Sequence, residues 1–115
     1  MENLFSEKQK FFYEDQSVRL ILGNSFDILQ NVKPESIDMV FADPPYFLSN
    51  NGVTCKSGRL VSVNKGDWDK LSEEVTTIDN KHEFNRKWIQ YCERILKPNG
   101  SIWISGTMHN IYSIG

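Results

Sequence analysis

One short run of this 115-residue chain brings together groups that gain chemistry from adjacency: Asp43-Pro44-Pro45-Tyr46. An exocyclic amine on adenine or cytosine is a poor nucleophile, because its lone pair is delocalised into the ring. To attack a methyl sulfonium it must be drawn toward tetrahedral geometry, which takes two acceptors aimed at its two hydrogens. The Asp43 carboxylate can supply one acceptor and the Pro44 carbonyl the other. The prolines fix φ, which serves the positioning of a near-attack geometry. Tyr46 can stack on a base, an interaction worth ~1–3 kcal/mol. A base in a duplex must first leave the stack, at a cost of roughly a few kcal/mol. The plainer reading is that Pro-Pro only ends a strand, with Asp43 and Tyr46 incidental. Placement bears on that choice.

The motif directly follows Ile37 to Ala42, an apolar run interrupted only by Asp38. Near-continuous apolar runs are typical of central parallel strands buried on both faces. The two prolines lack the backbone N–H that a central strand needs, so this strand stops at Asp43. Upstream, residues 1–10 are polar apart from Leu4 and Phe5 and read as a loose tail or short arm. Phe11 to Tyr13 and Val18 to Leu22 read as extended segments around a turn. Gly23-Asn24 ends the second of them, and Ser25 is placed to cap a short helix through Val32. Downstream, residues 49–66 are rich in Ser, Asn, Gly and Lys, the composition of a long mobile loop, followed by an acidic turn around Trp68. Asn80 and Glu83 are spaced as a capping box. Phe84, Trp88, Tyr91, Cys92 and Ile95 then mark one buried helical face. Lys97-Pro98-Asn99-Gly100 stops that helix. Ser101 to Ser105 is a further strand, with Trp103 in its core, and Gly106 opens a loop into another helix. Strands alternating with helices predict an α/β fold with a mostly parallel sheet and right-handed crossovers. Ligands of such sheets bind beyond the carboxyl ends of the strands, where both Asp43–Tyr46 and Gly23-Asn24-Ser25 fall.

Bulk properties narrow the class. Hydrophobic residues make up 39% and charged residues 24%, which excludes a disordered tail. No apolar run is long enough to span a bilayer, and the first residues lack a basic segment followed by an apolar one, so a cytoplasmic location is expected. Cys55 and Cys92 fit no zinc spacing and no disulfide framework; Cys92 is expected as a buried thiol. His82 and His109 are too isolated to suggest a metal. The net charge of −2 is unlike a self-sufficient nucleic-acid-binding domain. Positive charge is local: Lys56, Arg59, Lys65 and Lys70 in the loop-like stretch, and Arg86, Lys87, Arg94 and Lys97 along the helix, where a solvated face is the simpler account.

The run Ile37-Asp38-Met39-Val40-Phe41-Ala42-Asp43-Pro44-Pro45-Tyr46 resembles the catalytic motif of the β-class N6-adenine/N4-cytosine DNA methyltransferases of restriction–modification systems. Further likeness lies in Gly23-Asn24-Ser25, Lys65-Gly66-Asp67-Trp68-Asp69, Phe84-Asn85-Arg86-Lys87-Trp88, Leu96-Lys97-Pro98-Asn99-Gly100 and the run Gly106 to Tyr112. It is greatest to adenine methylases of GATC-recognising systems. The resemblance implies a Rossmann-like fold, an S-adenosylmethionine cofactor, DNA as partner, and adenine N6 favoured over cytosine N4, since Asp and not Ser stands at 43. It implies Asp43, Pro44 and Tyr46 as catalytic and base-holding residues, with Pro45 and Phe47 as further base-binding candidates, and it places Asp43 near the cofactor's methionine amine as well. Asn24 stands where relatives often carry Asp, at a position lining the cofactor's adenosine end. An amide can hydrogen-bond an adenine ring, whereas a plain strand-ending turn residue is the alternative.

The chain departs from the family in one respect. Its seven glycines, at 23, 52, 58, 66, 100, 106 and 115, form no FxGxG cofactor motif, and a target-recognition region is absent. Residues 1–115 are therefore expected to be the N-terminal catalytic-motif portion of a methyltransferase domain, completed by a C-terminal part or a second polypeptide. On its own the portion is expected to be marginally stable and weakly active. Cytosine N4 or RNA as target, and a non-catalytic DNA-binding or interaction fragment, remain the alternatives.

Overall fold

The computed structural model describes residues 2–47, 53–62, 66–67, 78–108 and 110–115. The elements in order are β1 (Tyr13–Glu14), β2 (Arg19–Leu20), α1 (Ser25–Asn31), β3 (Ile37–Ala42), β4 (Val53–Lys56), β5 (Arg59–Ser62), α2 (Ile78–Ile95), β6 (Leu96–Ile104) and α3 (Ile111–Ile114). Strands pair two by two. β1 with β2 and β4 with β5 are antiparallel, while β3 and β6 form a small parallel sheet. The fold is mixed α/β, as expected, but among the described residues only β3 and β6 are parallel. β2 is claimed locally by β1. Asp15 Oδ1 accepts from the amides of Ser17 and Val18, each at 2.7 Å, an aspartate-stabilised turn that closes the hairpin. The Ser17 and Val18 amides, and then the Tyr13 hydroxyl, hold the Asp15 carboxyl below its ordinary range. The chain divides into two compact units, Met1–Val40 with Lys87–Trp103, and Phe41–Arg86 with Ile104–Gly115.

In the first unit the core is Phe5, Val32 and Ile95, flanked by partly buried Leu4, Phe11, Ile21, Ile28, Leu29, Ile37 and Val40. The N-terminal segment is thus a pinned arm and not a loose tail: Phe5 bridges Val32, and Lys33 N donates to Leu4 O at 2.8 Å. α1 is capped one residue earlier than expected. Asn24, with extended backbone angles, accepts from Phe26 N at 2.9 Å, so Ser25 is already helical. At the other end of α1, Arg94 Nη2 donates to the carbonyls of Leu29, Gln30 and Val32 at 2.6, 3.2 and 2.8 Å, satisfying acceptors that a helix terminus leaves open. One of the four cations read as a solvated face is therefore a structural clamp. Asn24→Ala is expected to destabilise by about 1 kcal/mol, read as a lowered midpoint in thermal or denaturant unfolding. Asn24→Asp should be neutral or stabilising, since a carboxylate both caps and complements the helix dipole.

Asn85, Trp88, Cys92 and Ile95 are the buried residues of α2. Trp88, Cys92 and Ile95 are the part of the expected stripe that is buried, its other members Phe84 and Tyr91 are half-buried, and Asn85 joins the buried face in addition. The predicted capping box does not start this helix, which is already running at Asn80. β6 begins at Leu96, ahead of the predicted Ser101. A Cβ on Gly100 would lie 3.0 Å from Lys97 O and 3.2 Å from Asp38 O, so there is no room for a side chain there. The expectation that β3 is buried on both faces fails: Met39 is 58% and Phe41 70% exposed. Trp103, expected in the core, is 64% exposed. Alternation along both strands puts these large apolar side chains on faces left exposed among the described residues.

In the second unit, part of the stretch expected as a structureless loop is a hairpin. β4 and β5 pair in the register Val53↔Ser62 through Lys56↔Arg59. Ser57 (φ 51°) and Gly58 (φ 78°) are both left-handed, the two-residue turn whose twist matches paired strands. α3 is preceded by a turn in which Asn110 Oδ1 accepts from Thr107 N at 2.7 Å. Buried Asn85 donates to Ser113 Oγ at 2.8 Å. Among the described residues no helix is long and apolar enough to cross a membrane.

Candidate active site at the end of β3

Just past the end of β6, Ser105 N donates to the carbonyl of Ala42, the last residue of β3, at 2.9 Å. Beyond that bond β3 ends, because Pro44 and Pro45 offer no further donors. Asp43 is exposed at this carboxyl end, and Pro44, Pro45, Tyr46 and Phe47 are half-buried. Two hydroxyls converge on one carboxylate oxygen. Tyr46 Oη and Ser105 Oγ each lie 2.5 Å from Asp43 Oδ1, and they lie 2.8 Å from each other. Ser105 Oγ is also 3.3 Å from Ala42 O. Each hydroxyl carries one proton. Either both donate to Oδ1, or Tyr46 donates to Ser105 and Ser105 to Asp43; both arrangements fix the carboxylate. The Asp43 hydrogen bond, opposed by that of Ser105, holds the Tyr46 phenol above its ordinary pKa, so Tyr46 stays a donor across neutral pH.

Phe47 has φ 57°, a conformation costly for a bulky residue and one that clusters at functional sites. Its ring meets Phe84 edge-on, with centroids 5.2 Å apart at 79°. The structure thus brings Asp43 and Tyr46 into direct contact, with Pro44 and Pro45 between them, and sets Phe47 against α2. Asn24 lies in the other unit, where its side-chain oxygen is engaged as the α1 cap. Ser105 is the residue that sequence reasoning missed. The available signal was a small hydroxyl residue at the carboxyl end of the strand predicted to lie in the same parallel sheet, where ligand-facing residues collect. Trp68 and His109 lie outside the described residues. Among the described residues no group of three His, Cys, Asp or Glu could hold a metal ion.

The sequence profile of the family described as DNA methylase matches residues 37–115, the whole run from β3 through this site to α3. The chain belongs to the DNA methylase family. It is 54% identical over 106 residues to the type II methyltransferase M2.LlaDCHI of Lactococcus lactis subsp. cremoris, covering 92% of this chain and 38% of that protein. It is 46% identical over 108 residues to the type II methyltransferase M2.MboI of Moraxella bovis, covering 94% of this chain and 38% of that protein. It is 38% identical over 97 residues to the type II methyltransferase M.HinfI of Haemophilus influenzae, covering 84% of this chain and 26% of that protein. The chain thus spans about 38% of the length of the first two of these curated relatives. In this DNA methylase chain the Asp43, Tyr46 and Ser105 cluster falls wholly within the family match, whereas Asn24 precedes it.

Proposed function

We propose that the protein transfers a methyl group from S-adenosylmethionine to the exocyclic amine of a flipped DNA base, adenine N6 in preference to cytosine N4. This chain would supply the base-holding portion of a Rossmann-like methyltransferase fold. The observation that carries the reading is the immobilised Asp43 carboxylate at the carboxyl end of β3, next to the Pro44 carbonyl and tied to the Tyr46 phenol.

The residues present suit the chemistry. Asp43 is exposed, and a carboxylate offers about four lone-pair sites, so it can accept from several donors at once. Its oxygens suit both an amine hydrogen of the base and the ammonium of the cofactor's methionine moiety. The Asn24 amide, whose oxygen serves as cap, retains two N–H donors suited to an adenine ring. When bound, the cofactor supplies the electrophilic methyl on a sulfonium. Asp43 and the Pro44 carbonyl accept the two amine hydrogens and direct the nitrogen lone pair. Tyr46, pinned at its hydroxyl end, has its ring positioned in advance for stacking, so less freedom is lost when the base arrives. Ser105 acts through Asp43. Ser105→Ala should lower turnover on the order of tenfold, the scale of one hydrogen bond to a charged group, with DNA affinity unchanged; Ser105→Thr, which keeps the hydroxyl, should recover most of the loss.

The reading is tested by incubating the intact protein with methyl-labelled S-adenosylmethionine and duplex DNA, then hydrolysing the DNA and separating the nucleosides. Label in N6-methyladenine is the expected result. Label in N4-methylcytosine would reassign the base, and label found only in a parallel incubation with RNA would reassign the nucleic acid. No label in any nucleoside would overturn the proposal.

A further inference from the structure

The hairpin that follows the base-holding motif carries charge in an arrangement its own fold does not favour. Lys56 and Arg59 are direct cross-strand partners flanking the Ser57-Gly58 turn. Like charges directly opposite each other weaken a strand pair. The hairpin Val53–Ser62 contains no acidic residue, so it holds two positive charges on a chain whose net charge is −2. Lys56 and all of β5 are exposed, Leu60 at 78%. Several other basic residues serve the fold: Arg94 clamps α1, Lys97 pairs with Asp38 at 2.7 Å, Arg86 with Glu83 at 3.6 Å, Arg19 with Glu14 at 2.7 Å, Lys33 donates to Asn3 O at 2.7 Å, and Lys87 lies over the Phe26 ring.

We infer that the tip of this hairpin is a phosphate-binding element that grips the DNA backbone through Lys56 and Arg59, an inference that rests on the DNA reading above. Charge complementarity names the occupant: two cations paired across a two-residue turn suit the phosphates of a nucleic-acid backbone, and anion binding relieves the repulsion between them. Reach is consistent. Phe47 and Val53 are separated by six Cα steps, which span at most about 22 Å. A DNA strand rises about 3.4 Å per phosphate, so a base held at Asp43 has phosphates on the order of six steps to either side within range of the hairpin. Contacts to phosphate carry no sequence information, so this grip is expected to be independent of sequence.

The test is Lys56→Gln with Arg59→Gln in the intact protein, with binding followed by the anisotropy of a short fluorescent duplex at several salt concentrations. Each phosphate contact contributes about 0.9 to the slope of log affinity against log salt, so the slope should become shallower by about 1.8 and affinity near 0.1 M salt should fall about tenfold. The loss should be the same for unrelated duplex sequences. Thermal stability should hold or rise, because the substitution removes a repulsion; this opposite sign separates lost binding from lost folding. Unchanged slope and affinity, while Asp43→Ala still abolishes transfer, would overturn the hairpin inference and leave the methyltransferase reading standing. A parent protein that binds no DNA would overturn both. A loss of affinity with an unchanged salt slope would also overturn it, since the contact would then not be ionic.

Discussion

Asp43→Ala in the intact protein is expected to lower methyl transfer on the order of a hundredfold to a thousandfold, the scale of removing one group aimed at the charge that develops in a transition state. The substitution deletes the side-chain acceptor for the target amine and also the anchor shared by the Tyr46 and Ser105 hydroxyls. The loss should appear in kcat, with DNA affinity near that of the parent, because the contribution is made as the nitrogen turns tetrahedral and not when the duplex binds. Asp43→Asn is the sharper variant. It keeps the shape and one acceptor oxygen, but that oxygen is then wanted by two hydroxyls and by the amine at once. Turnover between that of the parent and of Asp43→Ala is expected. An Asp43→Ala enzyme within about threefold of the parent in kcat would remove the carboxylate from the mechanism.

Tyr46 carries two separable contributions, and a pair of substitutions divides them. Tyr46→Ala removes the ring, and with it stacking worth ~1–3 kcal/mol, or roughly five- to 150-fold in kcat/KM. Tyr46→Phe keeps the ring and removes only the hydroxyl that reaches Asp43 and Ser105. Because Ser105 still holds the same carboxylate oxygen, Tyr46→Phe should cost only a few-fold, expressed in kcat. Equal losses in the two variants would mean that the hydroxyl, and not stacking, is the source of the effect. A fluorescent base analogue at the target position gives a second readout: its quenching should survive Tyr46→Phe and be lost in Tyr46→Ala.

The strongest signals in the sequence were those in which local chemistry and the fold demand the same residue. The apolar run Ile37 to Ala42 with two prolines behind it can end only one way, and β3 ends at Ala42. The α2 stripe was legible at Trp88, Cys92 and Ile95, apolar positions at helical spacing that are all buried, whereas buried Asn85 gave no apolar signal. Errors arose where tertiary context decides. Trp103 sits in an apolar strand and was expected in the core, yet alternation turns it outward. The helix cap was misplaced by one residue because Asn24 and Ser25 are both good caps and only backbone angles separate them. The β4–β5 hairpin hid within a polar stretch, although Ser57-Gly58 between Thr54-Cys55-Lys56 and Arg59-Leu60-Val61 carries a turn signal. Ser105 carried only a weak signal, because its hydrogen-bond partner Asp43 is 62 positions away, a proximity that only the parallel pairing creates.

Cys92 is 3% exposed, and burial pushes its thiol pKa up. A thiolate reacts with a disulfide or maleimide reagent, and a buried thiol supplies almost none. Modification of Cys92 must therefore wait for the helix to lift from its packing. In a protein with Cys55 replaced, the labelling rate at fixed pH becomes a clock for that opening, and the logarithm of its slowing relative to a free thiol is a free energy of local exposure. Ligands that tighten the first unit should slow the clock, and those that act elsewhere should leave it running at its original pace.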